Sequence, residues 1–116
     1  MQPDSPALLW DALDAAESIV RFLEGVAWEG YRDELLRRRA VERGFEIIGE
    51  ALGRLRRIDP GTAVRVPALH DTVGLRNILI HGYAVVDDRR VYDTATSDLP
   101  ELIRVLTTLV TEAGAP

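Results

Sequence analysis

The sequence predicts an all-α protein, an up-down bundle of four to five helices joined by short connections. Two observations predict it. Apolar residues recur at spacings of three and four along most of the chain, and strand-like alternation is confined to the weak stretch 62–66. Of the 116 residues 47% are hydrophobic, enough for one core, so residues 1–116 are expected to form a single domain.

Ser5-Pro6 reads as an N-cap followed by proline at the first helical position. From there Leu9, Leu13, Ala16, Val20 and Leu23 form one stripe on a helix of about five turns, whose end Gly25 and Gly30 bracket. A second helix runs from about Arg32 to Arg57, with Val41, Phe45, Ile48, Leu52 and Leu55 as its stripe. Gly44, Ile47 and Ala51 make an adjacent face of small residues, where another helix can approach closely. A homodimer is expected on that face and the third helix. Asp59-Pro60-Gly61 marks a turn, and the residues from Thr62 to Pro67 read as a loop. The third helix begins near Ala68, carries Leu69, Val73, Arg76 and Ile80 on one face, and stops at Gly82. Asp87 or Asp88 caps a short helix containing Val91, Tyr92 and Ala95. Asp98 and Pro100 start a final one with Leu99, Leu102, Leu106 and Leu109 on its apolar face.

Composition removes several classes of function. Without cysteine there is neither a disulfide framework nor a thiolate metal site, and two histidines are too few for a histidine-rich one, so no cofactor is expected. No apolar run is long enough to span a membrane and no signal peptide is visible, which makes a cytoplasmic protein the expectation. The net charge of −5 counts against broad nucleic-acid binding, but it is unevenly spread. Residues 30–76 hold ten arginines against seven acids, whereas both flanks are acidic. All the basic residues are arginine. Arg37-Arg38-Arg39 and Arg54, Arg56, Arg57 form two clusters that suit either a solvated face or a polyanion.

The sharpest local feature is Arg76-Asn77-Ile78-Leu79-Ile80-His81-Gly82-Tyr83. Arg76, Ile80 and Tyr83 fall near one helix face, with Asn77 and His81 one turn apart on the neighbouring face. A guanidinium among apolar residues needs partners. It is either a structural arginine paired to Glu46 or Glu50, or an anion site. His81 sits at the carbonyl end of its helix. Glu46 and Glu50 lie at i and i+4, suited to salt bridges and without further ligands for a metal.

The spacing Arg76, four residues, His81, one residue, Tyr83 resembles the R-x4-H-x-Y motif of HepT-like proteins of the HEPN superfamily. The segment from Arg39 to Ala51 is similar to that family's second-helix block, Gly74-Leu75-Arg76-Asn77 to the lead-in of the motif, and Asp98-Leu99-Pro100 with Leu102 to the start of the last helix. Two positions depart from the pattern: Pro67-Ala68-Leu69 stands where many relatives carry Pro-Trp, and Gly82 where an acid is common.

The resemblance implies a HEPN-like bundle and the toxin of a toxin–antitoxin pair. Its activity would be that of a metal-independent endoribonuclease acting at a composite dimer-interface site. Arg76 and His81 would be catalytic, Asn77 supporting, and RNA the substrate, cut by its own 2′-hydroxyl. It further implies a minimal nucleotidyltransferase antitoxin that silences the toxin by AMPylation of Tyr83. Two alternatives stand beside this reading: a catalytically silent HEPN module that binds a nucleotidyltransferase partner, and a plain dimerisation bundle.

Overall fold

A computed structural model describes residues 1–82 and 86–114. All regular structure among them is helical: α1 (Ser5–Phe22), α2 (Trp28–Arg32), α3 (Leu35–Ile58), α4 (Pro60–Ala63), α5 (Leu69–His81), α6 (Asp88–Ser97) and α7 (Leu99–Glu112). The bundle expected from the sequence is present, with α2 and α4 as additional short helices. Both arise from signals read otherwise. Gly30 lies inside α2 instead of ending α1. Asp59-Pro60 starts a helical turn, because the Asp59 carboxylate accepts from Thr62 N at 3.2 Å and Pro60 supplies a helical φ at the first position.

The 24-residue α3 is the axis of the molecule, packed by α1 on one flank and α5 on the other. Two glycines set those approaches. A Cβ on Gly44 would lie 2.6 Å from Ile19 Cγ1 of α1, and one on Gly49 would lie 2.2 Å from Arg76 Cβ of α5. Five residues apart, they point about 140° apart around the helix, so each seats a different neighbour. The small-residue face expected to be left over for a dimer is therefore partly occupied within the chain. Gly44 and Ala51 are buried, and only Ile47 of the three remains partly exposed. The core lies between α1, α3 and α7, with Leu9, Ile19, Phe45, Ile48, Leu52, Leu106 and Leu109 essentially inaccessible.

The start of α1 also differs from expectation. Asp4, not Ser5, is the N-cap residue, and Ser5 is fully buried. Its hydroxyl donates to Asp59 Oδ2 at 2.7 Å, where Gln2 N (3.0 Å) and Thr62 Oγ1 (2.7 Å) also donate. A short charge-assisted cluster thus ties the N-terminus to the turn after α3. The Gln2 N–H, then the Ser5 and Thr62 hydroxyls, hold the Asp59 carboxyl well below the usual carboxylate range.

At the other end, α2 docks on α6 through aromatic rings. Trp28 meets Tyr92 edge-on at 5.8 Å, Tyr92 donates to Val26 O at 2.8 Å, and the Arg89 guanidinium lies 4.9 Å from the Trp28 ring centre. Asp87 caps α6 by accepting from Arg90 N, as one of the two capping readings had it. No helix among the described residues is long and apolar enough to cross a membrane.

Candidate functional site

The helix that carries Arg76, Asn77 and His81 is held mainly by α3. Its buried positions are Leu69, Thr72 and Leu75. This is one position round from the expected face: Val73 is only half-buried and Ile80 is 43% exposed. The reason is the lateral placement of α5. Gly49 lets Arg76 Cβ and the Thr72 carbonyl come down directly on α3, and Gly53 receives Val73 at van der Waals distance. The side of α5 bearing Val73, Asn77 and Ile80 therefore stays at the surface.

Arg76 is neither plainly buried nor plainly exposed. Its aliphatic stem lies across Gly49. Its Nη1 donates to Asn77 Oδ1 at 3.2 Å. Its Nε is buried with no hydrogen-bond acceptor among the described residues. Neither Glu46 nor Glu50 pairs with it, and Glu46 is engaged by Arg43 at 3.1 Å. Of the two readings open from sequence, the structural ion pair is thus not formed. What stands there is a guanidinium steered by one amide, with donor capacity to spare for an anion.

His81 is the last residue of α5 and is exposed. Gly82 ends the helix in the left-handed region at φ 60°, where glycine carries no steric penalty, and its N–H bonds Ile78 O. His81 lies five positions after Arg76, which places them about 7.5 Å apart along the axis and about 140° apart around it. Asn77 lies between, one turn from His81 and bonded to Arg76. Tyr83 lies outside the described residues. No group of three or more potential metal-ligating side chains forms among the described residues.

His70, which the sequence marks only as one of two histidines, joins this face: Arg56 Nη1 lies 2.8 Å from His70 Nδ1. The signal was its spacing of seven from Asn77 and eleven from His81 on one helix. A cleft of about 390 Å³ between α5 and α6–α7, lined by Asp71, Leu75, Arg90 and Leu102 among others, opens on the opposite side of α5 from His81.

The comparisons agree with the motif. The family described as ribonuclease HepT-like matches residues 12–109. A protein of Methanocaldococcus jannaschii named "Putative RNase MJ1380" is 33% identical over 101 residues, covering 85% of this chain and 90% of the relative. A second from that organism, "Putative RNase MJ1216", is 30% identical over 99 residues, covering 85% of this chain and 81% of its own. "Putative RNase TTE0752" of Caldanaerobacter subterraneus subsp. tengcongensis is 31% identical over 90 residues, covering 78% and 80%. No solved structure matches. With most of its length matched by the family and by these relatives, the chain belongs to the ribonuclease HepT-like family of the HEPN superfamily.

Proposed function

We propose that this protein is a cytoplasmic toxin of a toxin–antitoxin pair, a metal-independent endoribonuclease that cuts RNA by attack of its own 2′-hydroxyl. The observation that carries the reading is Arg76: a guanidinium with a buried, unaccepted Nε, held by Asn77 on the same surface helix as His81, in a ribonuclease family.

The chemistry follows from these groups. The 2′-oxygen attacks phosphorus, the bond to the 5′-oxygen breaks, and the products are a 2′,3′-cyclic phosphate and a 5′-hydroxyl. One imidazole takes the proton from the 2′-hydroxyl, and another gives one to the leaving oxygen. Arg76 holds the phosphate and stabilises the charge gained in the transition state. A neutral and a protonated imidazole are both needed, and each chain supplies one His81. A two-fold homodimer that brings two α5 helices together satisfies this, and the 43% exposed Ile80 gives that contact an apolar side chain to cover.

Control is assigned to Tyr83, two residues beyond His81. A minimal nucleotidyltransferase antitoxin would transfer AMP from ATP to its phenol oxygen and release pyrophosphate. The added phosphodiester carries negative charge and the adenosine bulk, both of which oppose RNA entry. The test is expression of the chain alone, followed by end-group analysis of cellular RNA. Growth arrest with 2′,3′-cyclic ends supports the reading. Unbroken RNA with normal growth points to a silent module that only binds the nucleotidyltransferase.

A further inference from the structure

Eight of the fourteen arginines are ion-paired within the chain: Arg32, Arg37, Arg38, Arg39, Arg43, Arg65, Arg89 and Arg104. Most of the others belong to α3 and α5. Arg54, Arg56 and Arg57 occupy the last turns of α3, and Arg76 of α5 lies over Gly49 of the same helix α3, with no carboxylate pairing any of the four among the described residues. Exposed Glu50, next to Gly49 and one turn before Arg54, stands between Arg76 and the patch formed by Arg54, Arg56 and Arg57. In a chain of net charge −5, such a concentration of unneutralised guanidinium is the place where a polyanion gains most.

One stripe of the α5 surface is polar from end to end, flanked by half-buried Val73 and exposed Ile80. His70, Gly74, Asn77 and His81 follow one another at spacings of four, three and four, which makes a single stripe about 16 Å long. His70, Asn77 and His81 are exposed, and no apolar side chain interrupts them on the stripe.

Gly74, in the middle, has no reason within the chain to be glycine. Its φ is not positive, and a Cβ added there would meet nothing within 4 Å. A glycine in a helix interior is unfavourable. It contrasts with Gly49 and Gly44, where the neighbour is already in place. The open backbone surface at Gly74 lies between the two polar ends, where an incoming chain can approach closely.

We propose that the RNA strand runs along α5, from the Arg76–His81 site across Gly74 to the Arg56–His70 pair, with Arg54 and Arg57 holding its backbone phosphates. This rests on RNA being the substrate, and it adds a recognition track longer than one nucleotide, remote from the bond that is cut. Away from Ile80, where the two-fold contact is placed, a polyanion fits the track better than a second copy of this chain, because the arginines offer unneutralised charge and the stripe itself carries no apolar side chain.

The test separates binding from cleavage. The full-length chain is titrated with a single-stranded oligoribonucleotide carrying 2′-O-methyl groups throughout, which removes the nucleophile. The Arg54→Gln/Arg57→Gln variant should bind it several-fold more weakly. Its log–log salt dependence should be shallower by about 0.7 for each phosphate that the variant no longer neutralises. Gly74→Ala should also bind more weakly while melting no lower than wild type. Both variants should cleave a dinucleotide, too short to reach the track, at the wild-type rate. Unchanged affinity and salt slope in both variants would overturn the track. So would loss of dimer on light scattering with RNA affinity intact, which would give the face to a second copy instead. If the wild type cuts no RNA but its oligonucleotide binding still depends on Arg54 and Arg57, the track stands and the nuclease reading falls.

Discussion

Gly49 of α3 and Arg76 of α5 touch at the level of the backbone: a methyl group on Gly49 would lie 2.2 Å from Arg76 Cβ and 3.0 Å from the Thr72 carbonyl oxygen. None of these atoms is the flexible end of a side chain, so α5 itself would have to move. Gly49→Ala is predicted to destabilise the fold by about 1–3 kcal/mol through overpacking. Because the shift displaces Arg76 and His81 together, RNA cleavage should fall even at temperatures where the variant is folded. Arg76→Ala keeps Cβ and loses the aliphatic stem that lies across Gly49 together with the guanidinium, whose one partner among the described residues is Asn77. It should melt closer to wild type and lose about 10²–10³ in rate, as when a transition-state donor is removed. Thermal melts beside single-turnover rates check both.

The Asp59 cluster predicts the behaviour in acid. Hydrogen bonds from Gln2, Ser5 and Thr62 lower the folded-state pKa of this carboxyl below its unfolded value of about 3.9. A depressed pKa means that the unfolded chain binds the proton first. The cluster's contribution is therefore fully present above the unfolded pKa and is lost as pH falls through the folded one. Melting temperatures followed from neutral pH down to about pH 2 should drop more steeply for wild type than for Asp59→Asn. Parallel curves would show that the cluster is not a source of the acid dependence.

Tyr83 is predicted to be the position that accepts an adenylyl group. Incubated with its nucleotidyltransferase and ATP, the chain should gain the mass of AMP and lose cleavage, and Tyr83→Phe should do neither. Modification mapped to Tyr92 would contradict the assignment: its hydroxyl already donates to Val26 O, and its ring is packed against Trp28.

The helices were legible because their periods are strong. The second-helix stripe Val41, Phe45, Ile48, Leu52, Leu55 is buried at every position. The third helix was harder. Its stripe through Val73 and Ile80 follows the apolar residues, whereas burial follows Leu69, Thr72 and Leu75, since a helix seated on glycines at one flank buries a narrower face than its composition suggests. The two short helices were hidden because proline and glycine serve turns and helix starts alike. At the candidate site, Arg76, Asn77 and His81 stood out by motif. The Arg56–His70 pairing did not, because it joins two helices whose lateral offset depends on Gly49 and Gly53, a packing detail that no linear spacing encodes.

The central claim is that His81 serves RNA cleavage and not the fold, and one measurement tests it most directly. Purified wild type and His81→Ala are compared on a structured RNA in excess EDTA, with melting temperature followed on the same samples. His81 is exposed at the end of α5, so its loss should cost well under ~1 kcal/mol. Loss of a general acid or base should cost roughly 10²–10⁴ in rate. The account predicts wild-type cleavage without metal, products ending in 2′,3′-cyclic phosphate, and a His81→Ala protein that melts almost unchanged and barely cuts. A folded His81→Ala protein that cuts as fast as wild type would contradict it.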